Sequence, residues 1–598
     1  MNNNLFILAV FWGVWIIIPV VFDGVLTFIY WLFIILKAPK KSRHQLDPAT
    51  LPRVSIIIPT YNEEENINEC LNYLKIQTYP HDKMEIIVVD NGSTDQTSNI
   101  VKEHMREIWE NGKRLKENGN RLGNQKTENG EPISNLQSPN QFLSSSNQFP
   151  TSTNGKIKVN GRTYQTNGFG GVLRLVIRYE KGKAKALNAG IKLARGEIII
   201  NIDCRSFLAP EAIYNMVAKF IENPEYGAAT GNVEIDWNLI YERDQRGRYL
   251  LDGEGHYRTR QLSHKEKFLA KAQFMEYLTS FRLGRQFQDI TGSMYTFSGA
   301  FSAFRREVLL RSDLYRDRTV AEDTDLTLDL QGQGVRLGFA EDAKAYLKPV
   351  ISFERFYSQR IRWHRGQIEV IGVHLDWYGN LRKGFWRNFW LTLLLMIDHT
   401  FSFPRLIWMF LLPLFFLFGY AMTLIIEAII LMYAFYVLID FANAFYCYHL
   451  SDGETKEKIK DSIQYCLVTP IFRLIAFYFR FGAYLEELKE PQAWTTPINP
   501  VRSIKDYRAS FSGSYQKTLG LGQRLWQLLT GWRQEPAGYD EKIAELDTYG
   551  LERSEVGPKD TQEIEVIPDF GLENGQRKMD GLYEKSLNPK YEILNKSQ

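Results

Sequence analysis

Cysteine is scarce in this sequence, and neither sign of charge is in large excess. The 598 residues include only 4 cysteines, and no two of them are spaced as a Cys-x-x-Cys pair. The sequence therefore gives no sign of a disulfide framework or a zinc site, which fits a reduced, cytoplasmic environment. The formal net charge is +3. Because proteins that bind nucleic acid carry a clustered basic excess, this balance gives no reason to expect nucleic acid as a partner.

The N-terminus also lacks the basic leader and small-residue cleavage site of a signal peptide, although Leu5 to Leu36 is almost wholly apolar. A transmembrane helix needs about 20 apolar residues, so this stretch is long enough for one and too long for a signal peptide. Lys37, Lys40 and Arg43 follow it directly. By the positive-inside rule, residues 1–45 are predicted to be an anchor that places the following domain in the cytoplasm.

A second apolar block is typical of a helical hairpin formed by Leu406 to Thr423 and Leu424 to Tyr448. Asp440 falls inside the second helix of this hairpin. An acid at such a position either lines a polar path or is hydrogen-bonded between helices. Both alternatives stay open at the level of sequence.

The segments around this hairpin are less apolar. Phe385 to Ile397 is short and amphipathic, so it is predicted to lie in the membrane interface. The depth of Ile463 to Leu485 stays open because it contains a proline and two arginines. Residues 376–490 are thus predicted to hold interfacial and transmembrane helices, and residues 491–598 a largely extended, polar tail on the cytoplasmic side.

Residues 46–375 show strand and helix patterns in alternation. Val54 to Ile58 and Glu85 to Val89 are continuous apolar runs typical of buried strands, and Glu63 to Lys75 has apolar residues at helical spacing. Such alternation predicts an α/β fold with a parallel sheet covered on both faces, in which ligands bind at the carboxyl ends of the strands. Within residues 111–170, 35 of 60 residues are Asn, Gly, Ser, Gln or Thr, so this insert is predicted to be disordered.

Polar motifs follow the predicted strands and open the predicted helices. In chain order they are Pro59–Glu64, Val89–Asp95, Gly182–Asn188, Asn201–Asp203, Ala321–Asp323 and Gln359–Trp363. Each motif alone is compatible with an ordinary structural role, such as a turn, a helix cap or a solvated lysine. Their occurrence together, in this order and between two apolar regions, makes coincidence improbable.

Taken together, these motifs resemble the membrane-integrated branch of the inverting family 2 glycosyltransferases, which includes cellulose, chitin, hyaluronan and poly-N-acetylglucosamine synthases. The resemblance covers roughly Arg53 to Gly372 without the insert, and its most specific part is the QxxRW element formed by Gln359, Arg362 and Trp363. It implies a GT-A (nucleotide-diphospho-sugar transferase) Rossmann-like domain between transmembrane helices.

A nucleotide-sugar donor presents a base, a diphosphate and an anomeric carbon, and each requires a different partner. Asp90 at a strand end can accept a hydrogen bond from a uracil N–H, Tyr61 can stack on the ring, and Glu63 lies nearby. Lys183 at a helix start offers a cation and N–H groups to phosphate.

The QxxRW element supplies groups for both substrates. Arg362, with Gln359, is expected to hold the diphosphate through its bidentate fork, and Trp363 offers an apolar face to the acceptor sugar. The alternative is that Arg360, Arg362 and Arg365 form only a basic interfacial helix that touches anionic lipids.

Three acids complete the predicted site. Asp203 is expected to hold Mg²⁺ or Mn²⁺, which one carboxylate can bind together with phosphates and waters. Asp323 is the predicted general base for the acceptor hydroxyl, and Glu322, on the acceptor side, is the second choice. The alternative reading is that both acids simply open a helix in contact with solvent.

One position departs from the family pattern. Asn201-Ile202-Asp203 stands where the family usually has Asp-x-Asp. The later carboxylate, to which the resemblance assigns the metal, is retained. Asn201 keeps a hydrogen-bonding group for the ribose or base but removes a charge near the ion.

These observations predict transfer of a hexose or N-acetylhexosamine from a UDP-sugar to a growing polysaccharide at the cytoplasmic face of a cell membrane, with a multi-pass chain. Because few helices are available for a channel, a second copy or a partner protein would be needed for translocation. The alternatives are transfer of a single sugar to a lipid or lipid-linked acceptor, and an inactive scaffold that binds nucleotide-sugar.

Overall fold

The computed structural model describes residues 23–37, 46–108, 110, 156–159, 162–165, 171–178, 182–244, 249–250, 252, 257–374, 415–418, 421–489 and 564–566. Its strands are β1 Val54–Thr60, β2 Met84–Asp90, β3 Lys156–Val159, β4 Arg162–Gln165, β5 Val172–Ile177, β6 Ile198–Ile202, β7 Ser206–Leu208, β8 Tyr226–Ile235, β9 Phe301–Arg305, β10 Arg336–Leu347 and β11 Ile564–Val566.

The helices alternate with these strands and continue beyond them. They are α1 Leu26–Lys37, α2 Ile67–Lys75, α3 97–108, α4 Lys183–Leu193, α5 Ala212–Glu222, α6 His264–Tyr277, α7 Gly284–Thr291, α8 Arg306–Arg311, α9 Glu322–Gly332, α10 Phe353–Val373, α11 Met422–Leu450, α12 Gly453–Ser462 and α13 Thr469–Lys489. A π-helical segment, Leu278–Leu283, joins α6 to α7.

One mixed sheet organises the catalytic region, with the strand order β11-β5-β2-β1-β6-β9-β8-β10-β7. The strands β5, β2, β1 and β6 are parallel, which confirms the predicted parallel sheet for this half. β9 runs antiparallel to both β6 and β8, a reversal that the sequence patterns did not predict. The carboxyl ends of β1, β2 and β6 therefore meet at one edge.

The sheet is buried on both faces, which explains its continuous apolar runs. Ile56 and Ile58 pack against one core cluster and Ile57 against the other, and all three are fully buried. Gly190 of α4 faces Ile57, where an added Cβ would lie 3.4 Å from the Ile57 Cγ1. Helix α4, whose first residue is Lys183, thus lies close against the sheet.

The predicted insert, residues 111–170, contains two β-strands. β3 and β4 pair as an antiparallel hairpin, so the prediction of disorder is wrong for these two segments. Their sequences alternate apolar and polar residues around Asn160-Gly161, a strong hairpin signal that the average composition hides. The remainder of residues 111–170 lies outside the described residues. In the polar tail, β11 adds an antiparallel edge strand to β5.

In the described part of the chain, α11 alone is long and apolar enough to cross a membrane, with a mean hydropathy of 2.3. It begins at Met422, so the predicted turn at residues 423–424 is wrong: these residues belong to the helix. The first hairpin helix, the segment 385–397 and most of the N-terminal anchor lie outside the described residues; α1 is the anchor's C-terminal part.

Asp440 is paired rather than isolated. Its carboxylate lies 2.6 Å from an Arg473 guanidinium nitrogen on α13, so the structure agrees with the alternative of a bond between helices. Helix α13 packs on α10, where the Phe356 ring lies 5.2 Å from Phe472 and 5.9 Å from Phe479, measured between centroids. The segment of undecided depth thus contacts the catalytic domain.

Helix α12 and its N-cap residue Asp452 connect α11 to the sheet through ion pairs. The Lys344 ammonium of β10 lies 2.8 Å from Asp452 and 3.3 Å from Glu234 of β8. Lys458 of α12 lies 2.9 Å from Asp236. Arg282 donates a hydrogen bond of 2.7 Å to the last carbonyl of α11, that of Leu450.

The sheet core gives a first prediction. Gly231 of β8 faces the Phe301 ring, and an added Cβ would collide with that ring and lie 2.8 Å from the Ala343 carbonyl oxygen. We expect Gly231→Ala to lower the free energy of unfolding by about 1–3 kcal/mol. The matched control is Gly453→Ala, where an added Cβ meets nothing within 4 Å and stability should be unchanged or slightly higher. Thermal unfolding of the solubilised protein compares them, and equal shifts would contradict the assigned packing.

Candidate active site

Lys183 connects two separate acids of the predicted site. It is the first residue of α4, after Gly182, whose φ of +131° is a conformation that glycine adopts readily. Its ammonium lies 2.8 Å from an Asp203 oxygen, just beyond β6, and 3.0 Å from a Glu322 oxygen at the start of α9. Burial alone would lower the pKa of Lys183, but the charges of Asp203, Glu322 and Asp323 outweigh it and raise that pKa.

Gly299 makes room for this group and positions Asp323. Its backbone N–H donates a hydrogen bond of 3.0 Å to one Asp323 oxygen, while the Thr324 N–H donates one of 2.8 Å to the other. A Cβ at Gly299 would lie 3.1 Å from the Lys183 ammonium and 3.2 Å from Asp323. A side chain at this position would therefore crowd both charged groups.

The environment of Asp323 suits a proton acceptor. Burial and the neighbouring Glu322 charge raise the pKa of Asp323, and the Lys183 charge opposes this only partly. A carboxylate with a raised pKa is a stronger base. Glu322 is itself buried, so the reading of two solvated acids that open a helix is wrong for Glu322.

The acids fit a divalent cation of the kind that the family implies. Three carboxylates, those of Asp203, Glu322 and Asp323, surround the single Lys183 ammonium, which leaves an excess of negative charge. The Asp203 side chain is 38% exposed and is the accessible member. Among the described residues, no group of three or more His, Cys, Asp or Glu side chains could enclose an ion. Such an ion would therefore bind Asp203 together with oxygens of the donor and water.

The first two motifs bind each other at the same sheet edge. Asn62, with a φ of +52°, donates its N–H to the Ser93 hydroxyl at 2.9 Å and accepts from the Thr94 N–H at 2.9 Å. The Glu63 N–H donates to the Thr97 hydroxyl at 2.8 Å. These contacts hold the ends of β1 and β2 together as one surface.

The predicted donor-binding residues at this surface differ in solvent exposure and in the groups that they already contact. Tyr61 is 48% exposed and can stack on a ring. Asp90 is only 1% exposed, and its oxygens accept hydrogen bonds from Ser93 and Ser98. The predicted contact of Asp90 with a base therefore requires these hydroxyls to move. Glu63 pairs at 2.8 Å with Arg205, a residue that sequence reasoning missed although it lies two positions after Asp203.

Asn201 is not at the surface, contrary to the prediction of a direct contact with ribose or base. It is 3% exposed because β6 is a central strand between β1 and β9. Its amide donates a hydrogen bond of 2.7 Å to the Tyr315 hydroxyl, and its Oδ1 has no hydrogen-bond partner among the residues that the structure describes. Asn188 of α4 exchanges two hydrogen bonds with the Tyr315 backbone, at 2.8 and 3.0 Å. Tyr315 was not predicted and carries no local sequence signal.

The QxxRW element lies on α10 and packs against α6 and the π-helical segment. The Trp363 ring centroid is 6.5 Å from those of Tyr277 and Phe281. Gln359 Oε1 is buried and has no hydrogen-bond partner in the described part of the chain. Arg362 is exposed. An added Cβ at Gly366 of this helix would lie 3.1 Å from the Ala321 nitrogen, so α10 reaches the residue before Glu322.

Two arginines of α10 are paired within the protein. Arg360 lies 2.6 Å from Glu276 and Arg365 lies 3.1 Å from Glu369. Both are buried. The alternative of a basic interfacial helix is therefore wrong for Arg360 and Arg365. Of the three arginines in that alternative, Arg362 is the exposed one.

This fold and site define a nucleotide-sugar transferase domain of the GT-A type, with acids and a lysine gathered at the carboxyl edge of a parallel half-sheet. Comparison with known families gives the same result. The family model "Glycosyl transferase family 2" matches residues 55–126, and "Glycosyl transferase family group 2" matches residues 198–422. These two segments, which together cover just under half of the chain, are family 2 glycosyltransferase domain segments.

Curated relatives include the poly-β-1,6-N-acetyl-D-glucosamine synthases of two staphylococci. The protein of Staphylococcus aureus is 22% identical over 321 residues, which is 54% of this chain and 56% of that protein. That of Staphylococcus epidermidis is 22% identical over 331 residues, or 55% and 57% of the two chains. The chain thus spans little more than half the length of these relatives.

Two solved structures that are similar to this chain each have a sequence identity of 18% to it. A mannosyltransferase from Pyrobaculum calidifontis, solved in complex with GDP-Man and Mn²⁺, gives a TM-score of 0.43 and covers 80% of this chain and 98% of its own. TarS of S. aureus gives a TM-score of 0.28 and covers 53% of this chain and 40% of its own.

The Asn201–Tyr315 contact can be tested directly. We expect Tyr315→Phe to lower the free energy of unfolding by about 1–3 kcal/mol, because the buried Asn201 amide then loses the hydroxyl that accepts its hydrogen bond. In the double variant Tyr315→Phe/Asn201→Leu, both polar groups are gone and part of the loss should be recovered. Thermal unfolding of parent, single and double variants provides the measurement. A Tyr315→Phe protein as stable as the parent would contradict this contact.

Proposed function

We propose that this chain transfers a hexose or N-acetylhexosamine from a UDP-sugar, with inversion, to the hydroxyl group of a saccharide acceptor at the cytoplasmic face of a cell membrane. The observation that carries the proposal is the Lys183 ammonium between Asp203 and Glu322, with Asp323 beside them across Gly299. This arrangement supports the proposal of a diphosphate site and a general base at one edge of the sheet.

The residues divide the reaction between them. Asp323 takes the proton of the acceptor hydroxyl while that oxygen attacks the anomeric carbon. The bond from this carbon to the UDP oxygen breaks, and UDP leaves from the opposite face with the bonding electrons. Lys183 and Arg362 balance the charge of the diphosphate. Mg²⁺ or Mn²⁺, when bound at Asp203, supplies Lewis-acid stabilisation of the leaving group.

A growing polysaccharide is the acceptor that we favour. Supporting it are the QxxRW element, the Glu322–Asp323 pair and the similarity of about half the chain to enzymes named as poly-β-1,6-N-acetyl-D-glucosamine synthases. The chain would be multi-pass, because α11 and the N-terminal apolar segment flank the domain. Translocation of a polymer would require a second copy or a partner protein.

Membrane vesicles given a panel of labelled nucleotide sugars test this function. A ladder or high polymer supports chain extension, whereas one organic-extractable product supports single transfer to a lipid acceptor. We expect Asp323→Asn to lower the rate by about 10²-fold or more, since it removes the base. The matched control is Asp329→Asn on the same helix, a partly buried residue whose ion pair among the described residues is with Arg316, and activity should persist. An Asp323→Asn variant with the parental rate would overturn the assigned base.

Metal dependence is a separate prediction. We expect a chelator to abolish transfer by the purified protein and added Mg²⁺ or Mn²⁺ to restore it, because Asp203 is the accessible carboxylate beside the predicted diphosphate site. Asp203→Asn should raise the metal concentration needed for half-maximal activity. Transfer at an equal rate in chelator would show that Asp203 has no metal role.

A further inference from the structure

Arg285 of α7 is a buried cation that has no acidic partner among the described residues. It is 4% exposed. Its guanidinium carbon lies 5.4 Å from the centroid of the Phe281 ring, and one of its nitrogens lies 3.8 Å from the Met294 sulfur. Burial lowers the pKa of Arg285 to about 10, against the opposing effects of Tyr295 and Asp323. No carboxylate of the described chain forms an ion pair with it.

The other buried arginines are compensated. Each forms an ion pair with a glutamate: Arg174 with Glu85, Arg282 with Glu234, Arg360 with Glu276 and Arg365 with Glu369. Burying a charge without a partner is costly, so buried charges are normally paired. Arg285 departs from this rule within the same fold, which indicates that its partner is a bound anion.

The position of Arg285 places this anion on the acceptor side. Phe281, one helical turn before Arg285, lies 6.5 Å from Trp363 between ring centroids. Asp323 is near enough for its charge to act on Arg285. The guanidinium thus contacts the ring that neighbours Trp363 and lies within electrostatic reach of the proposed general base. Lys183, by contrast, lies beside Gly299 and Asp203.

The surrounding helices give this region an apolar character. Phe287 of α7 stacks on Tyr30 of α1 at 4.2 Å between centroids. Arg282, one turn before Arg285, holds the last carbonyl of α11. The segment 278–291 therefore lies among the catalytic sheet and the two apolar helices, and a ligand with an apolar chain can approach along them.

We propose that Arg285 binds the phosphate group of a lipid-borne acceptor, in which a phosphate ester joins an apolar chain to the sugar that is extended. The guanidinium fork suits a phosphate bidentately. This inference rests on the proposed function, because the acceptor hydroxyl would still be activated by Asp323. It names the acceptor class and is compatible with extension of a chain on a lipid-linked primer.

The test measures binding of n-dodecyl phosphate to the full-length protein in a nonionic detergent, by calorimetric titration and by thermal unfolding. n-Dodecyl glucoside, inorganic phosphate and phosphatidylglycerol micelles are the comparison ligands. We expect Arg285→Met to weaken the binding of n-dodecyl phosphate about tenfold or more. The affinity for n-dodecyl glucoside should be unchanged. Because the parent buries an unpaired charge, the variant without ligand should melt at the same or a higher temperature.

Arg282→Met is the matched control, three residues away and equally buried but compensated by Glu234 and Leu450. It should melt at a lower temperature and keep the parental affinity for n-dodecyl phosphate. Arg285→Lys keeps the charge but loses the guanidinium fork, so it should bind n-dodecyl phosphate more weakly than the parent. This variant replaces Arg285→Met in the test if Arg285→Met does not fold.

Several outcomes would overturn the inference. Unchanged n-dodecyl phosphate affinity in Arg285→Met, or a lower melting temperature with unchanged affinity, would show that Arg285 is only structural. Equal binding of inorganic phosphate would point to a free anion, and equal binding of phosphatidylglycerol to a bilayer lipid. Loss of UDP binding in Arg285→Met would assign Arg285 to the donor. By contrast, a parent that binds n-dodecyl phosphate but not UDP would contradict the proposed function alone.

Discussion

The site depends on one ammonium group held between acids from separate elements. Lys183 starts α4, Asp203 follows β6 and Glu322 starts α9, and these elements meet because the sheet order places β1, β6 and β9 side by side. The missing side chain of Gly299 gives the charges room to approach. Any change that moves one of these elements alters the electrostatics of all three acids.

Much of this arrangement could be predicted from sequence, for a physical reason. A strand buried on both faces has a continuous apolar run, so the first polar residue after it marks the edge of the sheet. Asp203 and Lys183 could be found in this way. The state of Asn201 could not, because its burial depends on neighbours in β1 and β9. Its partner Tyr315 lies 114 positions away in the chain.

The reversal at β9 had no local signature either. Phe301–Arg305 has the composition of a strand, but its direction depends on which strands it pairs with, and these are far away in the chain. The hairpin of β3 and β4 was missed for the opposite reason, since its signal is local and was lost in a composition averaged over a long segment. Long-range pairing and short-range turns thus limit sequence reasoning at different scales.

The connection between α11 and α12 sets a geometric condition on the reaction. Leu450 is held by Arg282 and Asp452 by Lys344, so the short link between the helices has anchored residues on both sides. These two contacts connect the end of the apolar helix directly to the sheet and to the π-helical segment. With α11 in a bilayer, this connection would set the distance between the candidate active site and the lipid boundary. An acceptor sugar would react only when its own anchor holds it at the same distance.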